Sequence, residues 1–258
     1  MLIITHLVDL ARSTKQKLKN PEIILIMGDL SFYHLNIRKS IRAANLLSVD
    51  LGKFNIDFVS IKEPYVYDNV VYGFPKNYSV IYKNIGAKCV ILIKSTYKFV
   101  KLFIHEDILA VRLNISGLNF IFITVYFHPD SDFTQDMKKL EDILIKYHND
   151  TLIICGDFNA KNRTWGSGEI DAGGSMLLNL IIKHDMIILN DPKSPPTFVG
   201  PNGHSWVDVT IVKNLDPNKV QNWKVLEDFN LSDHRTISFT IGNSLKYVTK
   251  TESHIPLY

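Results

Sequence analysis

The stretch Leu152-Ile153-Ile154-Cys155-Gly156-Asp157-Phe158-Asn159-Ala160 is an apolar run that ends abruptly in a carboxylate and an amide. A buried strand of this kind delivers Asp157 and Asn159 to the rim of a sheet. Phe158, between them, points to the opposite face and can pack inside. Taken alone, Asp and Asn after a strand are ordinary turn formers. The rest of the chain decides between a turn and a site.

Working outward, helices are expected on both sides of this strand, over 134–147 and 175–183. Upstream, 40–54 places Ile41, Ala44, Leu47, Leu51 and Phe54 at spacings of three and four, with Ser40 available as N-cap. Apolar runs at 30–35 and 56–61 flank that helix. Runs rich in β-branched residues at 80–82, 89–93, 109–113 and 120–126 are close enough to form antiparallel hairpins. Further strands are expected at 207–212, 223–226 and 236–241. Hairpins with interspersed helices favour an α+β fold, two packed mixed sheets with helices on the outer faces.

The chain has 258 residues, 46% of them hydrophobic, and no internal Gly/Ser/Pro-rich stretch where a second domain could begin. Its net charge of +3 permits nucleic-acid binding without predicting it. Arg38, Lys39 and Arg42 cluster near one candidate site, and Lys94, Lys98 and Lys101 lie between strands; either cluster can be a plain solvated face. Cys89 and Cys155 sit in apolar runs without metal-site spacing and read as core thiols in a reducing compartment. Asp9 and Arg12 break the apolar start well short of a membrane span, so an intracellular location, with no membrane partner, is expected.

Other polar residues recur at strand ends. Glu63 closes one apolar run, followed by Pro64 and Tyr65, and Asn36 closes the first strand. Asp208 interrupts Ser205-Trp206-Val207-Asp208-Val209-Thr210-Ile211, where a carboxylate on a strand needs a partner. Ser232-Asp233-His234 supplies a carboxylate and an imidazole before the last strand. Each alone also has a capping, turn or surface reading. No Gly-x-Ser-x-Gly elbow, phosphate-binding glycine loop or His-Glu-x-x-His helix is present. Hard oxygen donors with amides and a carboxylate-backed imidazole suit magnesium and phosphodiester hydrolysis.

These motifs, in this order, resemble the exonuclease-endonuclease-phosphatase superfamily. More narrowly, the chain is similar to the apurinic-endonuclease-like domain of non-LTR retrotransposons of arthropod type. The resemblance rests on Leu35-Asn36 leading into Arg42-Ala43-Ala44, Glu63-Pro64-Tyr65, Gly156-Asp157-Phe158-Asn159-Ala160-Lys161 running on to Trp165-Gly166-Ser167, Ser205-Trp206-Val207-Asp208-Val209-Thr210 and Ser232-Asp233-His234-Arg235. It covers 31–242, leaving 1–30 as an extension of unknown role and 243–258 as a tail. It implies a four-layer α/β/β/α sandwich.

The resemblance also implies roles. Glu63, Asn36 and Asp233 would serve a Mg2+ ion, with Mn2+ as a substitute. Asp157 would orient or deprotonate the attacking water, and Asn159 would position it or the phosphate. Asp208 would hold His234 as the charged, phosphate-binding ring, and Tyr126 would touch the phosphate or leaving group. Thr197, Ser205, Arg235 and Trp165 are expected on phosphate or DNA. The implied activity nicks one strand of double-stranded DNA, and the 3′-hydroxyl primes reverse transcription by a polymerase in the parent polyprotein, which points to the nucleus. With no polymerase motif before Tyr258, the chain reads as an isolated domain, a truncated element or an adapted descendant. Alternatives are an abasic-site endonuclease or exonuclease of repair, and a catalytically silent DNA-binding remnant. Lys62, Asn162 and Gly173 depart from the family pattern, and the Lys62 ammonium is expected to compete with the metal for Glu63.

Overall fold

A computed structural model describes the backbone of residues 23–227 and 230–249. The expected extension at 1–30 and tail at 243–258 fall largely outside those residues. Gly28–Leu245 forms one compact unit.

In chain order the strands are β1 (Ile23–Asn36), β2 (Phe58–Lys62), β3 (Val66–Tyr67), β4 (Val70–Val71), β5 (Tyr78–Ile81), β6 (Cys89–Lys94), β7 (Phe99–Ile104), β8 (Ile108–Ile115) and β9 (Leu118–Tyr126). They continue with β10 (Leu152–Asp157), β11 (Ile187–Ile188), β12 (Phe198–Gly200), β13 (Gly203–Ser205), β14 (Asp208–Lys213), β15 (Val220–Val225) and β16 (Ile237–Thr249). Helices α1 (Ile41–Phe54), α2 (Phe133–Lys146) and α3 (Ala172–Lys183) lie between them.

Two six-stranded sheets result, ordered β15-β16-β1-β2-β6-β5 and β11-β14-β10-β9-β8-β7. Each is mixed: β1 runs parallel to β2 and β9 to β10, while β2–β6, β5–β6, β8–β9 and β10–β14 are antiparallel. Side-chain alternation explains the layers. Leu30, Phe32 and Phe58 from the first sheet meet Phe120, Phe122, Ile153 and Cys155 from the second in one buried cluster. Tyr33, Leu35, Val59 and Ile61 turn the other way, onto Ala43, Ala44, Leu47 and Leu51 of α1. Ile121, Ile123, Leu152 and Ile154 pack on Met137, Leu140 and Ile143 of α2 and on Leu177 and Ile181 of α3. The α/β/β/α sandwich follows.

Ser40 caps α1 by accepting from the backbone N–H of Ala43. Two local expectations change. Phe54, expected on the apolar face of α1, is exposed, and the buried face of the helix consists of Ala43, Ala44, Leu47 and Leu51. Of the lysines expected between strands, Lys94 ends β6 and Lys101 belongs to β7, a strand at the edge of its sheet; Lys98 alone lies between them. Cys89 and Cys155 are buried free thiols, as expected.

Candidate active site

Strand register places the polar residues. Asp157 pairs with Tyr126 on one side and with Asp208 on the other, so a phenol and two carboxylates stand in one row across three strand ends. In the facing sheet Asn36 ends β1 opposite Lys62, and Glu63 follows immediately. The side chains of Asn36, Asp157 and Asp208 continue rows whose lower members fill the layer between the sheets. The site is where that layer turns from aromatic to polar.

Asn36 ties the sheets together at this end. Its Nδ2 donates to Glu63 Oε2 at 3.0 Å and to Asp157 Oδ2 at 2.9 Å, while its Oδ1 accepts from the backbone N–H of Arg38 at 2.8 Å. Asp157 Oδ1 accepts from the Asn159 N–H at 3.2 Å, and Asn159 Nδ2 is anchored on the Phe127 carbonyl at 2.8 Å. Glu63 and Asn159 both have positive φ, 44° and 47°, which turns the chain sharply as it leaves each strand.

His234 Nδ1 lies 2.9 Å from Asp208 Oδ2, and its Nε2 lies 3.9 Å from Asp157 Oδ2. Burial works against the charge on this ring, but the carboxylates of Asp208 and Asp157 outweigh it and hold its pKa up to about 9. Burial, with the charge of Asp208 beside it, pushes Asp157 up to about 6. Asp208 is driven the other way: against its burial, His234 and then His34 keep its carboxyl well below the usual range. Burial and the Glu63 carboxylate raise the Tyr126 phenol, so it stays a neutral donor.

A cavity of about 330 Å3 opens above Asn36, Glu63, Tyr126, Asp157, Asn159 and His234. Arg38, His128, Pro129, Asp130 and Phe198 complete its walls, and sequence reasoning did not assign them. His128 and Pro129 were within sight, since they follow the strand-ending Tyr126. Phe198, in β12, stands edge-on to His234 with ring centroids 5.0 Å apart, a contact made by strand pairing far apart in sequence.

Other expected residues sit differently. Asp233 lies at the rim with its carboxylate paired to Arg38. Thr197 is fully buried, and its hydroxyl oxygen accepts from the N–H groups of Val207 and Asp208 at 3.1 and 3.2 Å, so it fixes the start of β14. Ser205 pairs with Phe198 in the β12–β13 ribbon. Arg235 donates to the Pro196 carbonyl at 3.3 Å and faces Glu227 at 3.5 Å. Trp165, expected on phosphate or DNA, is fully buried in the core between its sheet and the outer helices, its indole N–H on the Ala160 carbonyl at 3.2 Å. Lys62 does not reach Glu63 either. It alternates onto the inter-sheet face, fully buried, and donates to Ser60 Oγ at 2.9 Å. Burial lowers its pKa.

As for a metal, Asp157, Asp208 and His234 form the only group of three or more acidic, His or Cys ligands within reach of one another among the described residues. Asp208 and His234 are already committed to each other. The more open carboxylate is Glu63, whose side chain is 18% exposed at the cavity, close to Asp157 through their shared donor. Oxygen donors in this arrangement suit a hard divalent cation.

The chain is similar to known proteins in sequence and in fold. A family model described as endonuclease-reverse transcriptase matches residues 120–238. The retrovirus-related Pol polyprotein of type-1 retrotransposable element R1 from Bradysia coprophila is 31% identical over 114 residues, 41% of this chain and 11% of that protein. Among solved structures, the endonuclease domain of TRAS1, a telomere-specific non-LTR retrotransposon, matches 84% of this chain and 99% of its own, with a TM-score of 0.76 and 25% identity. The apurinic endonuclease LMAP of Leishmania major shares the fold over 90% of this chain and 91% of its own, at a TM-score of 0.67 and 12% identity. These matches liken the chain to endonuclease domains of non-LTR retrotransposons, and its fold to that of apurinic endonucleases. No helix among the described residues is long and apolar enough to cross a membrane.

Proposed function

We propose that residues 31–242 form a divalent-metal-dependent DNA endonuclease that nicks one strand of a duplex. The observation that carries the reading is the row Tyr126, Asp157, Asp208 with His234 on Asp208, facing Asn36 and Glu63 across one cavity. Water adds to the phosphorus, the P–O3′ bond breaks, and the products are a 5′-phosphate and a 3′-hydroxyl. In the parent polyprotein that hydroxyl would prime reverse transcription.

Asp157 orients the water and takes its proton; a carboxylate raised to about 6 is a better base than an ordinary one and still ionised at neutral pH. His234, kept cationic by Asp208, binds a non-bridging phosphate oxygen. Tyr126 stays a neutral phenol and hydrogen-bonds a neighbouring oxygen, Asn159 places the phosphate against both, and the departing O3′ takes its proton from solvent water. Glu63 would hold Mg2+, or Mn2+ in its place. Asn36 and Asp233 would join it once the amide oxygen of Asn36 turns inward and Asp233 leaves Arg38. When bound, the cation supplies charge neutralisation on the phosphate.

Supercoiled plasmid in magnesium tests this directly. The expected result is conversion to open circles that a DNA polymerase can extend from the nick, lost in EDTA and in Asp157→Ala and His234→Ala. Folded wild-type protein that retains plasmid without nicking it would leave a silent DNA-binding domain instead. An abasic oligonucleotide cut far faster than intact DNA would favour repair.

A further inference from the structure

Beneath the site lies a polar rung that the proposed mechanism does not use. His34 faces between the sheets because it shares the parity of Phe32 and Asn36 on β1, and it pairs in register with Ser60. It is fully buried. Its Nε2 lies 3.5 Å from Asp208 Oδ1, the oxygen that His234 does not take, and neither atom has another hydrogen-bond partner among the described residues. Two buried polar atoms left without partners, facing each other at this distance, need only a few tenths of an ångström to pair.

We infer that His34 is a positioning residue for the nicking reaction: it donates from Nε2 to Asp208 Oδ1 and locks the carboxylate that holds His234. The inference rests on the nuclease reading above. A carboxylate anchored through one oxygen can pivot about its Cβ–Cγ bond, and the imidazole it carries pivots with it. A second anchor from the opposite side removes that freedom, as outer hydrogen bonds do for other functional imidazoles. The geometry is a His–Asp–His line running from the inter-sheet layer to the cavity, with one ring 3.5 Å from Asp208 Oδ1 and the other 2.9 Å from Asp208 Oδ2. His34 touches no substrate, so its influence must pass through Asp208.

The test is single-turnover and steady-state nicking by the full chain carrying His34→Leu, His34→Gln, His234→Gln and the double variant His34→Leu/His234→Gln. His34→Leu should lower kcat by about 10–100-fold with KM for plasmid within about threefold. His34→Gln, which keeps a donor, should recover part of the loss. In the His234→Gln background His34→Leu should cost nothing more, because the residue it acts through is gone. An unchanged kcat in His34→Leu, or an equal loss in both backgrounds, overturns the inference while leaving the nuclease intact. Wild-type protein that does not nick overturns both. If His34→Leu fails to fold, 15N spectra of the wild-type histidine rings decide: a neutral His34 with its proton on Nε2 supports the line, and one with its proton on Nδ1 refutes it.

Discussion

At the scale of single residues, the site is a set of charges held against the cost of burial. His234 titrates at about 9 in the folded chain against an ordinary value of 6.5. A raised folded pKa means extra stability that is fully present below about 6.5 and lost as pH climbs through 9. In EDTA, the melting temperature should therefore fall between pH 7 and 8.5, by the equivalent of about 2 kcal/mol. His234→Gln should flatten that slope; an unchanged slope would mean that the ring is not charged when folded. Lys62 gives the opposite case. Its fully buried ammonium has Ser60 Oγ at 2.9 Å, and Ser60 keeps Thr124 Oγ1 at 2.5 Å if the lysine goes. Replacing a buried cation by an apolar chain of similar volume leaves no orphan here, so Lys62→Met should hold or raise thermal stability, by up to about 1–2 kcal/mol. A strong loss in differential scanning calorimetry would show that the ammonium stabilises the sheets after all.

Single elements matter through what they press on. The first turn of α3 sits against the loop that follows Asp157 and Asn159. Asp171 caps this helix, taking the Gly174 N–H on Oδ1 and the Lys161 N–H on Oδ2 at 3.0 Å. A Cβ on Gly174 would lie 1.9 Å from the Lys161 carbonyl oxygen, which is backbone and cannot swing aside. Gly174→Ala should thus cost about 1–3 kcal/mol in urea denaturation and shift the catalytic loop, reducing nicking in the fraction that remains folded. The neighbouring Gly173, noted as a departure from the family pattern, lies 3.2 Å by its would-be Cβ from the Phe133 ring, which accounts for a small residue there. Elements with one dominant period were legible from sequence: α2 runs Phe133–Lys146 where 134–147 was expected, and β6 runs Cys89–Lys94 where 89–93 was expected. The edge strand β7 was not. Its Val100 and Lys101 face solvent, so the run mixes apolar and charged residues without the contrast that marks a half-buried strand.

Across the whole molecule, the site exists only because two sheets pack face to face, one drawn from both ends of the described chain and the other from its middle. Glu63 and Asn36 come with one, Tyr126, Asp157 and Asp208 with the other. Strand-end carboxylates and amides could be read one by one from the sequence. Which of them meet could be inferred only by resemblance, because neither periodicity nor spacing specifies how one sheet is set upon another. That is why His34 and the interior course of Lys62 went unread. The packing that sets this registration is aromatic: Phe32 stacks on Phe58 at 4.9 Å and Phe239 at 4.8 Å, and meets Phe120 and Phe122 edge-on. Phe32 sits two residues below His34 and four below Asn36 on the same face of β1. Phe32→Ala should cost about 3–5 kcal/mol of stability. It should also reduce nicking beyond the loss of folded protein, since the cavity lies where the sheets settle their spacing. Activity per folded molecule, taken from nicking rates corrected by the folded fraction from near-ultraviolet circular dichroism, separates the two effects. A normal rate per folded molecule would mean that the polar contacts of Asn36 alone, reaching Glu63 and Asp157, are enough to register the sheets.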